Sequence, residues 1–287
     1  MGIGLAIVAM LSWGIGDFLI QRSARKIGDW ETLFVITAFG TLVLFPLVYR
    51  NIPQLFSEDL FGLAVLIGSG LLLTVASLCI FEAFKKGKLS ILEPILSFEI
   101  PAASILAFVV LGDQISLTQV VLIATLMIGL SLLSFREKYI SKSFFLEKGI
   151  VLFFVGAFLM GAGDFFLGWG ARLTDPLIAN FVLSFVIATI SGAALVMRGQ
   201  IRKTIQDIRA NRASLLVMSI SDNIAWVAYA FAMSLVPIAI ATGLSESSII
   251  VAVVLGLFVN RERPQLHQKL GMVIALASAI TLAAITA

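Results

Sequence analysis

A Gly-x-Gly followed by aspartate occurs twice, as Gly14-Ile15-Gly16-Asp17-Phe18 and Gly161-Ala162-Gly163-Asp164-Phe165. Each copy lies inside an apolar stretch long enough to cross a bilayer, and the aspartates are 147 residues apart, about half the chain. Ala24-Arg25 and Ala171-Arg172 repeat at the same offset. A carboxylate in hydrocarbon costs about 3 kcal/mol on insertion scales, so it normally faces a cavity or a partner. Asp17 lies five residues from Arg22, and the alternative for it is an aspartate at a span end that reaches interfacial water. Glu82, Glu93, Glu99, Asp222 and Glu246 also fall within or at the ends of apolar spans, and no lysine or arginine lies deep in any span to pair with them. Such acids are either protonated or matched by a bound cation or proton, the chemistry of moving charge across a membrane.

In the stretch around Asp222, the residues Ser219, Asp222, Trp226 and Tyr229 share a helical face. An acid among aromatic rings suits a cationic or amine-bearing solute, through Coulomb attraction and cation–π contact. The alternative is Asp222 bonded to a neighbouring helix with the aromatics as packing. Thr242, Ser245, Glu246 and Ile249 line a second face, with Glu246 near mid-span as the leading proton- or substrate-binding candidate. Glu93, Ser97, Pro101 and Ser104 form a third face, from which Glu99 projects elsewhere. Pro94 and Pro101 each remove a backbone donor, so that segment is expected to be kinked or locally open. Glu82 adjoins Lys85 and Lys86 and reads as an interfacial ion-pair partner.

Composition dictates what positions these groups. Of 287 residues, 60% are hydrophobic and 13% charged, with a mean hydropathy of +1.06, which excludes a soluble globular chain. The expected fold is an all-α integral membrane protein, because every backbone polar group in a span must be satisfied within it. Ten transmembrane helices are predicted, at 3–21, 31–49, 61–84, 89–111, 117–135, 149–171, 175–197, 213–234, 237–259 and 266–286. The first five form one repeat, 1–140, with a linker at 136–148, and the second five form another, 149–287. An odd number of crossings per half makes the two homologous halves inverted copies, an architecture of transporters with a site near the midplane.

Of the 20 Lys and Arg residues, 18 fall in the loops after spans 1, 3, 5, 7 and 9, leaving Arg50 and Arg172 for the other side. Basic loops stay in the cytoplasm, so both termini are expected outside, in a plasma (inner) membrane. The net charge of +3 reflects these loops and gives no sign of a nucleic-acid partner. A single cysteine, Cys79, leaves no internal disulfide or cysteine-rich metal site, and no cofactor is expected. The N-terminal apolar run lacks a basic preamble and reads as a first span. Ile201, Ile205 and Ile208, spaced among basic residues, predict an amphipathic helix on the cytoplasmic interface. Gly271, Ala275, Ala279 and Ala283 at i+4 spacing predict close helix approach, within the chain or in a homodimer.

The layout, with Leu11-Ser12-Trp13-Gly14, Leu89-Ser90-Ile91-Leu92-Glu93-Pro94-Ile95, Leu111-Gly112-Asp113-Gln114-Ile115-Ser116 and the looser Val259-Asn260-Arg261-Glu262-Arg263-Pro264, resembles the EamA-type members of the drug/metabolite transporter superfamily. In that alignment Glu262 matches Asp113, and Trp13 becomes a candidate site residue. The resemblance implies a transporter rather than an enzyme, carrying amino acids, metabolites, nucleotide sugars or drugs by alternating access, often with protons and in some cases as an antiporter. Its relatives are generally drawn with both termini in the cytoplasm, against the charge distribution here. A passive facilitator or lipid scramblase would keep the fold and ignore a proton gradient. An intramembrane aspartyl protease would need Asp17 and Asp164 nearly in contact, and neither a Tyr-Asp partner motif nor a Pro-Ala-Leu is present.

Overall fold

The computed structural model describes residues 1–58, 60–86, 95–134, 149–251 and 265–286, with the backbone alone at 17, 18, 21, 57, 58 and 84–86. Among them there are helices and no strands. They are α1 Gly2–Ile27, α2 Asp29–Val48, α3 Ile52–Glu58, α4 Leu60–Lys86, α5 Glu99–Leu106, α6 Leu117–Ser134, α7 Ile150–Leu173, α8 Pro176–Met197, α9 Ile201–Leu235, α10 Ile238–Ser245 and α11 Leu266–Thr286, with a π-helical turn at Ala107–Leu111 extending α5. Seven of these helices are long and apolar enough to cross a membrane. The expected count of ten is not reached on that criterion. Apolar helices at Gly2–Gly16, Glu99–Leu111 and Ile238–Val251 occupy the other three predicted spans but are shorter.

The polarity of the molecule is turned inside out relative to a soluble protein. Leu42, Val109, Val151 and Ile280 are more than 60% exposed, while Asp164, Glu99 and Asp222 are at most 6% exposed. Such a surface is matched to hydrocarbon, with its ionisable groups withheld from it. The most extensive helix pairings join the two halves of the chain: α4 with α7, α1 with α9, α6 with α11 and α2 with α8. The halves therefore interleave, and any group on the inner faces of α1, α7, α9 or α10 meets residues of the other half.

Small residues set how closely they approach. A Cβ on Gly129 would sit 2.6 Å from the Ala275 nitrogen, and one on Gly271 would sit 2.7 Å from the Gly129 carbonyl oxygen. The expected small-residue ridge of α11 is thus taken up inside the chain by α6, with Ala275 fully buried. Backbone atoms cannot rotate out of the way, so Gly129→Val is expected to lower stability by about 2 kcal/mol. A thermal midpoint equal to that of the natural protein would show that the α6–α11 approach does not matter.

The residues Ile201, Ile205 and Ile208 are helical as expected and form the start of α9, set off from its remainder by a kink at Asn211 (φ −121°, ψ 19°). Ile208 packs against a small cluster of Ile27, Ile36, Leu215 and Met218, so part of its apolar face rests on protein.

Candidate functional site

Two interrupted spans carry the acids that matter most. The residues before α5 turn at Ser97-Phe98, and the Ile100 N–H donates to the Ser97 carbonyl at 3.3 Å, three residues back. After α10 the chain turns at Glu246-Ser247, where the Ser247 N–H donates to the Leu244 carbonyl at 3.2 Å. These two tight turns lie within two residues of equivalent places in the halves, since Glu99 and Glu246 are separated by the same 147 residues as Asp17 and Asp164. The expected break in the fourth span is therefore real, and the ninth span repeats it without a proline.

Helix α7 delivers Asp164 to the same place. Its Gly161 lies so close to the turn that an added Cβ would collide with the Glu99 carbonyl oxygen, and would fall 2.8 Å from the Ala102 Cβ. The second Gly-x-Gly-Asp is thus a device for close approach: glycine admits the neighbouring backbone, and aspartate follows it inward. In the first copy Gly14 makes such an approach, against Val251 and the Ser248 carbonyl, while Gly16 is in ordinary contact with Ser221 and Asp222.

Glu99, Asp164 and Glu246 present carboxylate oxygens that all lie within 4.8 Å of one another. Asp164 is 2% exposed, and its Oδ1 has no hydrogen-bond partner. Two unit charges about 4 Å apart repel by about 4 kcal/mol at an effective dielectric of about 20. Three charged carboxylates at that spacing repel one another strongly, and a shared proton or cation would relieve that repulsion.

Tyr229 links this cluster to the aromatic face. Its hydroxyl lies 2.7 Å from the Thr242 Oγ1 and also engages the Asp164 carboxyl, with Glu246 and Glu99 close enough to act on it electrostatically. On the other side, its ring centroid is 5.1 Å from that of Trp13, and Trp13 is 5.2 Å from Trp226, both edge-on. The Trp226 and Trp13 indole N–H groups lie beside the Asp222 carboxyl. Trp13 comes from α1 in the first half, and Trp226 and Asp222 from α9 in the second.

Of the sequence-derived candidates, Glu246, Asp164, Glu99, Tyr229, Trp13, Trp226 and Asp222 form one connected group. Ser245 does not join it directly: its hydroxyl is 3.4 Å from the Ala6 carbonyl oxygen. Glu93 lies outside the described residues, as does the side chain of Asp17. Thr242 belongs to the group through Tyr229. The equivalence of Glu99 with Glu246 went unread, although equal offset from the repeated aspartates was the signal for it.

A second polar constellation closes one end of the bundle. Arg172, at the end of α7, forms a two-pronged ion pair with Asp113, at 2.6 and 2.9 Å, and donates to the Met233 and Val236 carbonyls. Asp113 also accepts from the Ile238 N–H at 3.0 Å. The latch joins the segment before α6, the end of α7 and the connection from α9 to α10. At the opposite end, Lys203 reaches Glu31 at 3.6 Å and the Ile27 carbonyl at 3.5 Å. These longer contacts, made by a half-exposed lysine, are weaker.

The EamA-like transporter family model matches residues 1–135 and again 147–284. No curated protein matches the chain. One solved crystal structure of a protein superposes with a TM-score of 0.72, covering 99% of this chain and 95% of its own at 14% identity. That likeness speaks to the fold alone. With two copies of one family unit spanning nearly its whole length, the chain belongs to the EamA-like transporter family, whose members are multi-pass membrane transporters of small solutes.

Proposed function

We propose that this protein is a secondary carrier of a small organic solute bearing an amine or other cationic group. It is driven by protons and works by alternating access between two inverted five-helix halves. The observation that carries the reading is Asp222: it is 6% exposed, faces the indoles of Trp13 and Trp226, and has no ion-paired lysine or arginine among the described residues. A buried acid lined by aromatic edges and faces rewards a cation that enters, through Coulomb attraction and cation–π contact. Glu246, beside Asp164 and Glu99, is the group that takes up and releases the coupling proton. Tyr229 touches both places and relays the state of one to the other. The division of labour fits a two-repeat carrier, in which discontinuous helices meet at the interface of the halves. On the loop charges, the Arg172 latch lies on the non-cytoplasmic side, with both termini.

Thermal unfolding of purified protein across pH, with amines, amino acids and nucleosides added, tests the solute seat. Ammonium-bearing compounds are expected to raise the midpoint and uncharged nucleosides to leave it alone. Asp222→Asn is expected to remove the amine effect. Equal stabilisation of that variant would place the solute elsewhere.

A further inference from the structure

We propose that Glu99, Asp164 and Glu246 form a binding site for a hard inorganic cation. Oxygens bound to one ion at about 2.4 Å can be no farther apart than about 4.8 Å, whatever the angles between them. The three carboxylates meet that limit. Their arrangement comes from three separate elements: the first turn of α5, the body of α7 and the turn after α10. Asp164 supplies the observation that points to a ligand, since its Oδ1 is deeply buried and has no hydrogen-bond partner. A buried carboxylate oxygen is ordinarily bonded, and one that is not leaves a coordination position open.

The donor set decides the class of ion. All three ligands are carboxylates, and neither the one cysteine nor the one histidine of the chain takes part, so the site has no soft or imidazole donor. Oxygen-only sites suit sodium, calcium, magnesium and manganese rather than copper or zinc. The clamping of Gly161 against the Glu99 carbonyl keeps two of the ligands in fixed relation. The inference deepens the carrier reading and rests on it for its use: cation and proton would be alternative occupants of one cluster, so the cation would either drive the solute or compete with the driving proton.

Binding is measured on the purified full chain, in detergent, at constant ionic strength set with choline chloride. Sodium, calcium, magnesium and manganese chlorides are added singly, and the unfolding midpoint and bound manganese (by electron paramagnetic resonance) are followed. At least one ion is expected to give a saturable rise of roughly 5 °C at about a hundred times its dissociation constant. The rise is expected to vanish in Asp164→Asn and in Glu246→Gln. Should either variant fold poorly, Glu99→Asp, which keeps the charge and shortens the reach, is expected to weaken binding at least tenfold. An effect no different from choline for every ion, or an ion effect that survives in Asp164→Asn and Glu246→Gln, would overturn the site. The carrier reading is judged separately by amine binding at Asp222, so loss of the ion effect with amine binding intact sinks only the cation site.

Discussion

Glu246→Gln is expected to abolish proton-driven accumulation of solute in proteoliposomes, down to the leak of empty vesicles, while leaving solute exchange in place. A glutamine mimics the protonated acid in size and cannot release a proton, so the carrier is held in one coupling state. Uphill movement requires two states of different affinity, and a group locked in one of them cannot bias the equilibrium. The proposed solute seat at Asp222 lies on α9 and is not part of the three-carboxylate cluster, and downhill exchange needs no change of protonation. The measurement is uptake of a labelled amine under an imposed pH gradient, compared with uptake by exchange alone. Unchanged coupling would take Glu246 out of the mechanism. Loss of both activities together would instead show that the acid cluster holds the solute seat in shape.

Asp113→Asn is expected to lower stability by about 2 kcal/mol at neutral pH, because it leaves a partly buried guanidinium without its partner. Burial works against charge on Asp113, but hydrogen bonds from Arg172 and Ile238, with attraction to the guanidinium, outweigh it and hold the carboxyl below the usual carboxylate range. A carboxyl depressed in the folded state contributes its stability fully above its unfolded pKa of about 4 and loses it as pH falls through the lower folded value. The natural protein is therefore expected to lose stability in acid more steeply than the variant, and the two unfolding curves converge there. Since the latch spans three segments at one end of the bundle, weakening it also favours the conformation open at that end. A cost of about 2 kcal/mol moves such a two-state population some thirtyfold. Equal midpoints at pH 7 would show that Arg172 finds other partners and that the latch has no thermodynamic weight.

Membrane character was legible in composition, and the repeat in the spacing of Asp17 and Asp164, because a long apolar run has few alternatives and a duplicated motif survives in one dimension. The interruption of the fourth span could be anticipated from Pro94 and Pro101. That of the ninth could not, since nothing between Leu244 and Ser248 forbids a helix; the break there is visible only by analogy with its partner half. Helical spacing placed Asp222, Trp226 and Tyr229 on one face of α9, and the structure brings them together. It could not bring Trp13 across from α1, nor choose between monomer and dimer for the α11 ridge, because both depend on which helices become neighbours. The Asp113–Arg172 latch escaped for the same reason. Residues 59 apart at the C-terminal ends of different spans meet only once the bundle has closed.

Counterflow tests the carrier account most directly. Proteoliposomes are loaded with an unlabelled amine that stabilises the purified protein, and entry of trace labelled amine is followed without any gradient of pH or potential. A site exposed alternately to the two sides yields saturable entry that rises with the internal load and disappears in Asp222→Asn. Entry that ignores the internal load, or passes equally through Asp222→Asn, would contradict a solute seat shared between the two halves.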